Sequence, residues 1–189
     1  MLDELNDQAH ADYDAGDFTS ALASFSVLRE IRSRREGPYS VKYLDAVHNS
    51  VRCMSKLELW SDSTLLCSEL HSKYVRTLGR GQATTVDVAK HWAWAMMHLR
   101  DLSSAINLYL TTADAMWDSD AAGARRLIGA AAAVPAVRPA ALVWKGIVDG
   151  VTLRHTDELL NVLGSWTDRL SDKQNSEPTI TLDGLAMTA

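Results

Sequence analysis

The stretch "AGDFTSALASF", residues 15–25, decides how this chain is read. Gly16 and Asp17 precede Phe18, and Ala21, Leu22 and Phe25 then recur at helical spacing. Asp17 is a good N-cap for the helix that Phe18 opens. Two later stretches follow the same pattern: "LELWSDSTLLC" at 57–67 and "LRDLSSAINLY" at 99–109. Their large anchors, Phe18, Trp60 and Leu102, stand 42 residues apart. Three residues on, each copy has a small residue, Ala21, Ser63 or Ala105; seven on come Phe25, Cys67 and Tyr109. Nine before the anchor stand Ala9, Val51 and Ala93, and Gly37 and Gly79 keep the same step at the far end.

A period of this length is the mark of a repeat architecture. Each copy reads as a helix hairpin. Helix A runs up to the turn, the anchor opens helix B, and the small residue lets the two helices approach closely. Asp101 caps the third helix B as Asp17 caps the first; Ser61 or Asp62 takes that role in the second. A hairpin this short cannot bury its apolar face alone, so successive copies are expected to stack. Apolar residues fall on helical faces, as with Leu22, Phe25 and Leu28, or Leu65, Leu66 and Leu70. No β-branched alternation with hairpin turns occurs, so the fold class is all-α.

The pattern of small and large residues on either side of the turn resembles the tetratricopeptide repeat. The 42-residue step is similar to the long variant of kinesin light chains and many bacterial regulators. In that variant, helix A often carries Asn-Leu-Ala two turns before the A–B turn. Here Asp7-Gln8-Ala9, Asn49-Ser50-Val51 and His91-Trp92-Ala93 stand there, and only Asn49 matches. Glu58 and Arg100 replace the turn glycine, and Ser63 replaces alanine. The resemblance covers about residues 2–117, with repeats at 2–36, 40–78 and 84–117. It implies a short right-handed solenoid whose A helices line a concave groove.

After Trp117 the pattern changes. "SDAAGARRLIGAAAAV" (119–134) reads as an Ala-rich helix capped by Ser119 or Asp120. Pro135 and Pro139 then break the chain. "AALVWKGIVDGV" (140–151) reads as a weaker helix and "TDELLNVLGSWTDRL" (156–170) as a strong one. These segments are expected to cap the stack, making 1–170 one domain. The polar start of 171–189 reads as a disordered tail.

If the A helices face a groove, equivalent positions form rows along it. These are Asp3, Asp45 and Asp87; Asp7, Asn49 and His91; His10, Arg52 and Trp94; and Asp14, Lys56 and His98. The candidate partner-binding residues are Asn49, Arg52 and Trp94, flanked by Asp45, Lys56, His91 and His98. Side-chain amides and charges of this kind suit an extended peptide or a partner helix. Thr84 and Asp87 also have capping-box spacing. Trp92 and Trp94 are two apart on one helix and cannot share a face, so one is expected in the core.

Other chemistries are poorly supported. Asp87, His91 and His98 follow one helix face, but His91 and His98 lie about 10 Å apart along a helix, too far to chelate one ion. Gly79-x-Gly81 lacks the third glycine and the preceding strand of a phosphate loop. No nucleophile elbow or protected carboxylate pair is present, so neither an enzyme nor a cofactor is expected. Arg29, Arg32, Arg34 and Arg35 alternate with Glu30 and Glu36 as a solvated helix end does. With a net charge of −5, they argue against nucleic acid. Cys53 and Cys67 fit no zinc spacing and read as buried small residues. The start "MLDELNDQAHADYD" lacks the regions of a signal peptide, and no apolar run is long enough for a bilayer. The expectation is a cytoplasmic, non-membrane protein with a protein or peptide partner, and a homo-oligomer is open to it. The second functional reading is a regulatory sensor that binds a signalling peptide or regulates a transcription factor.

Overall fold

The computed structural model describes residues 1–134 and 153–173, with side chains in the last helix as far as Ser165. The expected helix at 140–151, and the tail beyond 173, lie outside the described residues. Among those residues the chain is all-α, with eight helices and no strand. It divides into two compact units, Met1–Thr77 and Leu78–Ala189.

The first unit holds α1 (Leu2–Asp14), α2 (Phe18–Glu36), α3 (Val41–Lys56) and α4 (Trp60–Thr77), each packed on the next. Its core gathers Ala9, Ala21, Phe25, Leu28, Ala46 and Cys53. The second unit holds α5 (Ala83–His98), α6 (Leu102–Met116), α7 (Ala121–Ala132) and α8 (Thr156–Lys173). Here too consecutive helices pack, and α8 also reaches α6. The core runs from Val86 and Met96 through Ile106 and Tyr109 to Leu127, Ile128, Leu159 and Leu163.

The 42-residue step is written into the backbone. Helices α2, α4 and α6 begin at Phe18, Trp60 and Leu102, and α1, α3 and α5 end at Asp14, Lys56 and His98. Between them, Gly16, Glu58 and Arg100 all have positive φ. In the first and third copies the turn is a Schellman motif. The Gly16 N–H donates to Tyr13 O and the Asp17 N–H to Asp12 O; Arg100 and Asp101 do the same to Met97 and Met96. In the second copy the Leu59 N–H donates to Met54 O. The small residues Ala21, Ser63 and Ala105 are all fully buried.

Local chemistry departs from the sequence reading at several points. Asp17 and Asp101 accept the N–H groups of Ser20 and Ser104 as caps. Ser61 and Asp62, however, lie inside the first turn of α4, and Leu59, which has no side-chain acceptor, occupies the cap position. Thr84 likewise sits inside α5 rather than before it. Leu65 is 74% exposed. It lies five residues from buried Leu70, about 140° round the helix, so the two cannot share a face. Asp120 caps α7 by accepting the Gly123 N–H at 2.7 Å.

The two glycines of Gly79-x-Gly81 have separate structural reasons. Gly79 has φ 102°, a backbone that side chains disfavour. Gly81 packs on α6, where an added β-carbon would lie 2.4 Å from Ala115 O. No helix among the described residues is long and apolar enough to cross a membrane.

Candidate functional site

Helix α3 is enclosed on most sides. Ala46 and Cys53 belong to the core with α1 and α2, and His48 meets Tyr74 of α4 edge-on at 5.9 Å. The remaining side carries a polar line at positions i, i+4, i+7 and i+11: Asp45, Asn49, Arg52 and Lys56. Asp45 and Lys56 are exposed, Arg52 is half-buried, and Asn49 is 7% exposed. Four of the residues singled out in the sequence thus share one line on one helix.

On α1 the equivalent line is Asp3, Asp7, His10 and Asp14, all exposed. Helices α1 and α3 are neighbours here. Lys42 Nζ lies 3.6 Å from Asp3 Oδ1, and Arg32 of α2 donates to both Asn6 Oδ1 and Lys42 O. Arg32 is only 3% exposed. The expectation that all four arginines of 29–36 are solvated therefore fails for Arg32. Its guanidinium finds acceptors on two other elements, as a buried cation must. Arg34 does behave as a surface residue, pairing with Glu30.

In the second unit, the same line on α5 is Asp87, His91, Trp94 and His98. The rings of Trp94 and His98 meet edge-on, 4.7 Å between centroids. His91 is buried, with Nε2 3.9 Å from Asp87 Oδ2. Trp92, on the other side of α5, packs against the core of this unit. The two tryptophans are therefore separated as their spacing requires, although both stay half-buried.

Two polar clusters escaped the sequence reading. Tyr39, Tyr43, Glu69, Lys73 and Arg76 form the first. The Lys73 ammonium lies 4.7 Å from the Tyr43 ring centre and 5.5 Å from that of Tyr39. It also donates to Glu69, and Arg76 donates to Tyr39 Oη. The Lys73 hydrogen bond holds the Glu69 carboxyl below its usual range. Burial is the largest single influence on Lys73 and works against its charge, but the hydrogen bond to Glu69 and the charges and hydrogen bonds of Glu69 and Tyr43 together outweigh it and hold the ammonium above its usual range. The second cluster fastens the start of α8. Buried Asp114 accepts the His155 N–H at 2.9 Å, and Trp117 stacks on the His155 ring. His155 Nε2 is 3.3 Å from Asp118 Oδ1, off the line of a hydrogen bond. Arg125 lies over the Trp117 ring, 5.2 Å from its centre. Neither cluster has a local motif, because its members are scattered along the chain.

Cys53 and Cys67 are both buried, and burial pushes their thiols up to about 11 and about 12. Thiols held neutral in this way are not nucleophiles at physiological pH. Among the described residues, no three His, Cys, Asp or Glu side chains are grouped to hold a metal ion. The surface chemistry of the helix lines is that of hydrogen bonding and charge pairing. No protein-family profile matches the chain, and no curated protein matches it.

Proposed function

We propose that this chain is a non-enzymatic binding scaffold that holds a protein or peptide on the polar lines of its A helices. The observation that carries the reading is the 42-residue register of the backbone. Helix starts at 18, 60 and 102 and left-handed turn residues at 16, 58 and 100 put α1, α3 and α5 in equivalent roles. Their polar lines carry an amide, charges and an aromatic ring, and these suit a ligand's polar backbone and side chains. With the resemblance to tetratricopeptide repeats, the hairpins form a short right-handed stack. Asn49, Arg52 and Trp94 make the main contacts, with Asp45, Lys56, His91 and His98 around them.

The test is selection from a random-sequence peptide library on the full chain. Selected peptides should bind in solution and lose affinity when Arg52 and Lys56 are both replaced by glutamate, while the thermal melt stays in place. Lys56 is exposed and Arg52 half-buried, and the melt separates lost binding from lost structure. Peptides that bind the variant as well as the parent would contradict the assignment.

A further inference from the structure

Tyr39 differs from the other tyrosines of the chain. Tyr43, Tyr74 and Tyr109 are buried and Tyr13 is half-buried, whereas Tyr39 is 48% exposed. It lies outside the helices, in the connection 37–40 that joins α2 to α3. Gly37, with φ 89°, turns the chain out of α2, and exposed Pro38 follows it. Proline keeps this segment from extending the helix and leaves it on the surface. Arg34, Arg35 and Glu36, at the end of α2, are exposed as well. A helix end of this kind opens at little cost, which frees the residues that flank Tyr39.

A second observation is what faces the hydroxyl. Arg76, in the last turn of α4, donates from Nη1 to Tyr39 Oη at 3.3 Å. Among the described residues, no carboxylate lies within ion-pair distance of Arg76. A phenol is a weak acceptor for a guanidinium, whose planar fork of donors suits the oxygens of a carboxylate or phosphate. Lys73 is close too, its ammonium 5.5 Å from the Tyr39 ring centre, but it is committed to Glu69. Glu69 in turn accepts from both Lys73 and the Tyr43 hydroxyl, which limits its repulsion of a new anion here. Arg76 is therefore the cation with charge to offer at Tyr39.

We propose that Tyr39 is a phosphorylation site, the acceptor residue for a protein tyrosine kinase. In the transfer, the phenolic oxygen attacks the γ-phosphorus of ATP. The bond from that phosphorus to the β–γ bridging oxygen breaks, and a bond to Oη forms. The phenolic proton passes to the base of the kinase, and ADP leaves. The phosphate brings a charge of about −1.5 to −2 and three acceptor oxygens to the side of Arg76. The hydrogen bond between them becomes charge-assisted on both sides. Because Arg76 belongs to α4, the modified side chain fastens the connection 37–40 to the last turn of that helix. Phosphorylation is thus a latch within the first unit. It is independent of the peptide-binding reading, since Tyr39 lies off the polar lines of α1, α3 and α5.

Two measurements test this. In the first, the native full chain is incubated with ATP and a broad-specificity tyrosine kinase, and the modified residues are mapped by mass spectrometry. Tyr39 should be labelled and the four other tyrosines spared, and Tyr39→Phe should abolish the label. A native chain left unlabelled at Tyr39 would overturn the proposal. In the second, the phosphorylated and unphosphorylated chains are compared by thermal melt and hydrogen exchange. Phosphorylation should raise Tm by about 2–4 °C. It should also slow exchange at the amides of Tyr43 and Leu44, which bond to Ser40. Arg76→Gln should remove most of the gain in Tm while leaving the melt of the unphosphorylated chain nearly in place, since Arg76 is a surface residue. A Tm that falls or stays level on phosphorylation, or a gain that survives Arg76→Gln, would overturn the proposal.

Discussion

Glu58 and Arg100 hold the same left-handed backbone, φ 58° and 65°, 42 residues apart and in register with Gly16. An L-residue in this region crowds its β-carbon against the carbonyl, at a cost of about 1–2 kcal/mol. Glycine avoids that cost but loses part of the gain to chain entropy. Glu58→Gly and Arg100→Gly should therefore each stabilise the chain by about 0.5–1 kcal/mol, raising Tm by roughly 1–4 °C. Leu59→Asp should add to the first, since Asp17 and Asp101 cap the equivalent helices. Thermal melts of the three variants check this. A lower Tm in either glycine variant would mean that the turn is held differently.

Gly81 is the opposite case. Its missing side chain leaves room for the backbone of Ala115, and Gly81→Ala forces α5's approach and α6 apart. Backbone cannot give way as a flexible side chain does, so the expected cost is about 1–3 kcal/mol. Gly164 on α8 has nothing within 4 Å of an added β-carbon, and Gly164→Ala should stabilise by up to about 1 kcal/mol. Denaturant titrations of the two variants should move in opposite directions.

Asp114 should decide whether α8 stays docked. It receives the His155 N–H at the very start of that helix, where backbone donors have no helical partner. Asp114→Ala leaves that donor without its acceptor, at a cost of about 1–3 kcal/mol. Asp114→Asn keeps an oxygen in place and should cost less. Hydrogen exchange should show α8 opening faster in the alanine variant, with the first unit unaffected. Uniform acceleration through both units would contradict the local role.

The thiols offer a reading of core integrity. With Cys53 raised to about 11 and Cys67 to about 12 by burial, neither should react with iodoacetamide in native protein at pH 8. Both should label promptly in denaturant. Stoichiometric labelling of the native chain would mean that one of the two sites opens readily.

The repeat was legible because its marks are local. An anchor and a small residue three positions on recur in sequence in all three copies, and packing buries the small residues Ala21, Ser63 and Ala105. That Asp45, Asn49, Arg52 and Lys56 lie along one side of α3 was legible for the same reason, since helical geometry fixes which positions share a face. What could not be read depends on partners far along the chain. Arg32 looks like one more surface arginine until Asn6 and the Lys42 carbonyl meet it. Asp114 gives no sign that it will receive an N–H from residue 155. The burial of Asn49 follows from its neighbours' bulk, which its own spacing does not report.

The most direct measurement is the affinity of a library-selected peptide for the full chain and for its Arg52→Glu, Lys56→Glu variant, with both melts recorded alongside. The account predicts saturable binding to the parent, at least a tenfold loss in the variant by analogy with reversed ion pairs, and superimposable melts. Undiminished binding by a fully folded variant would contradict it.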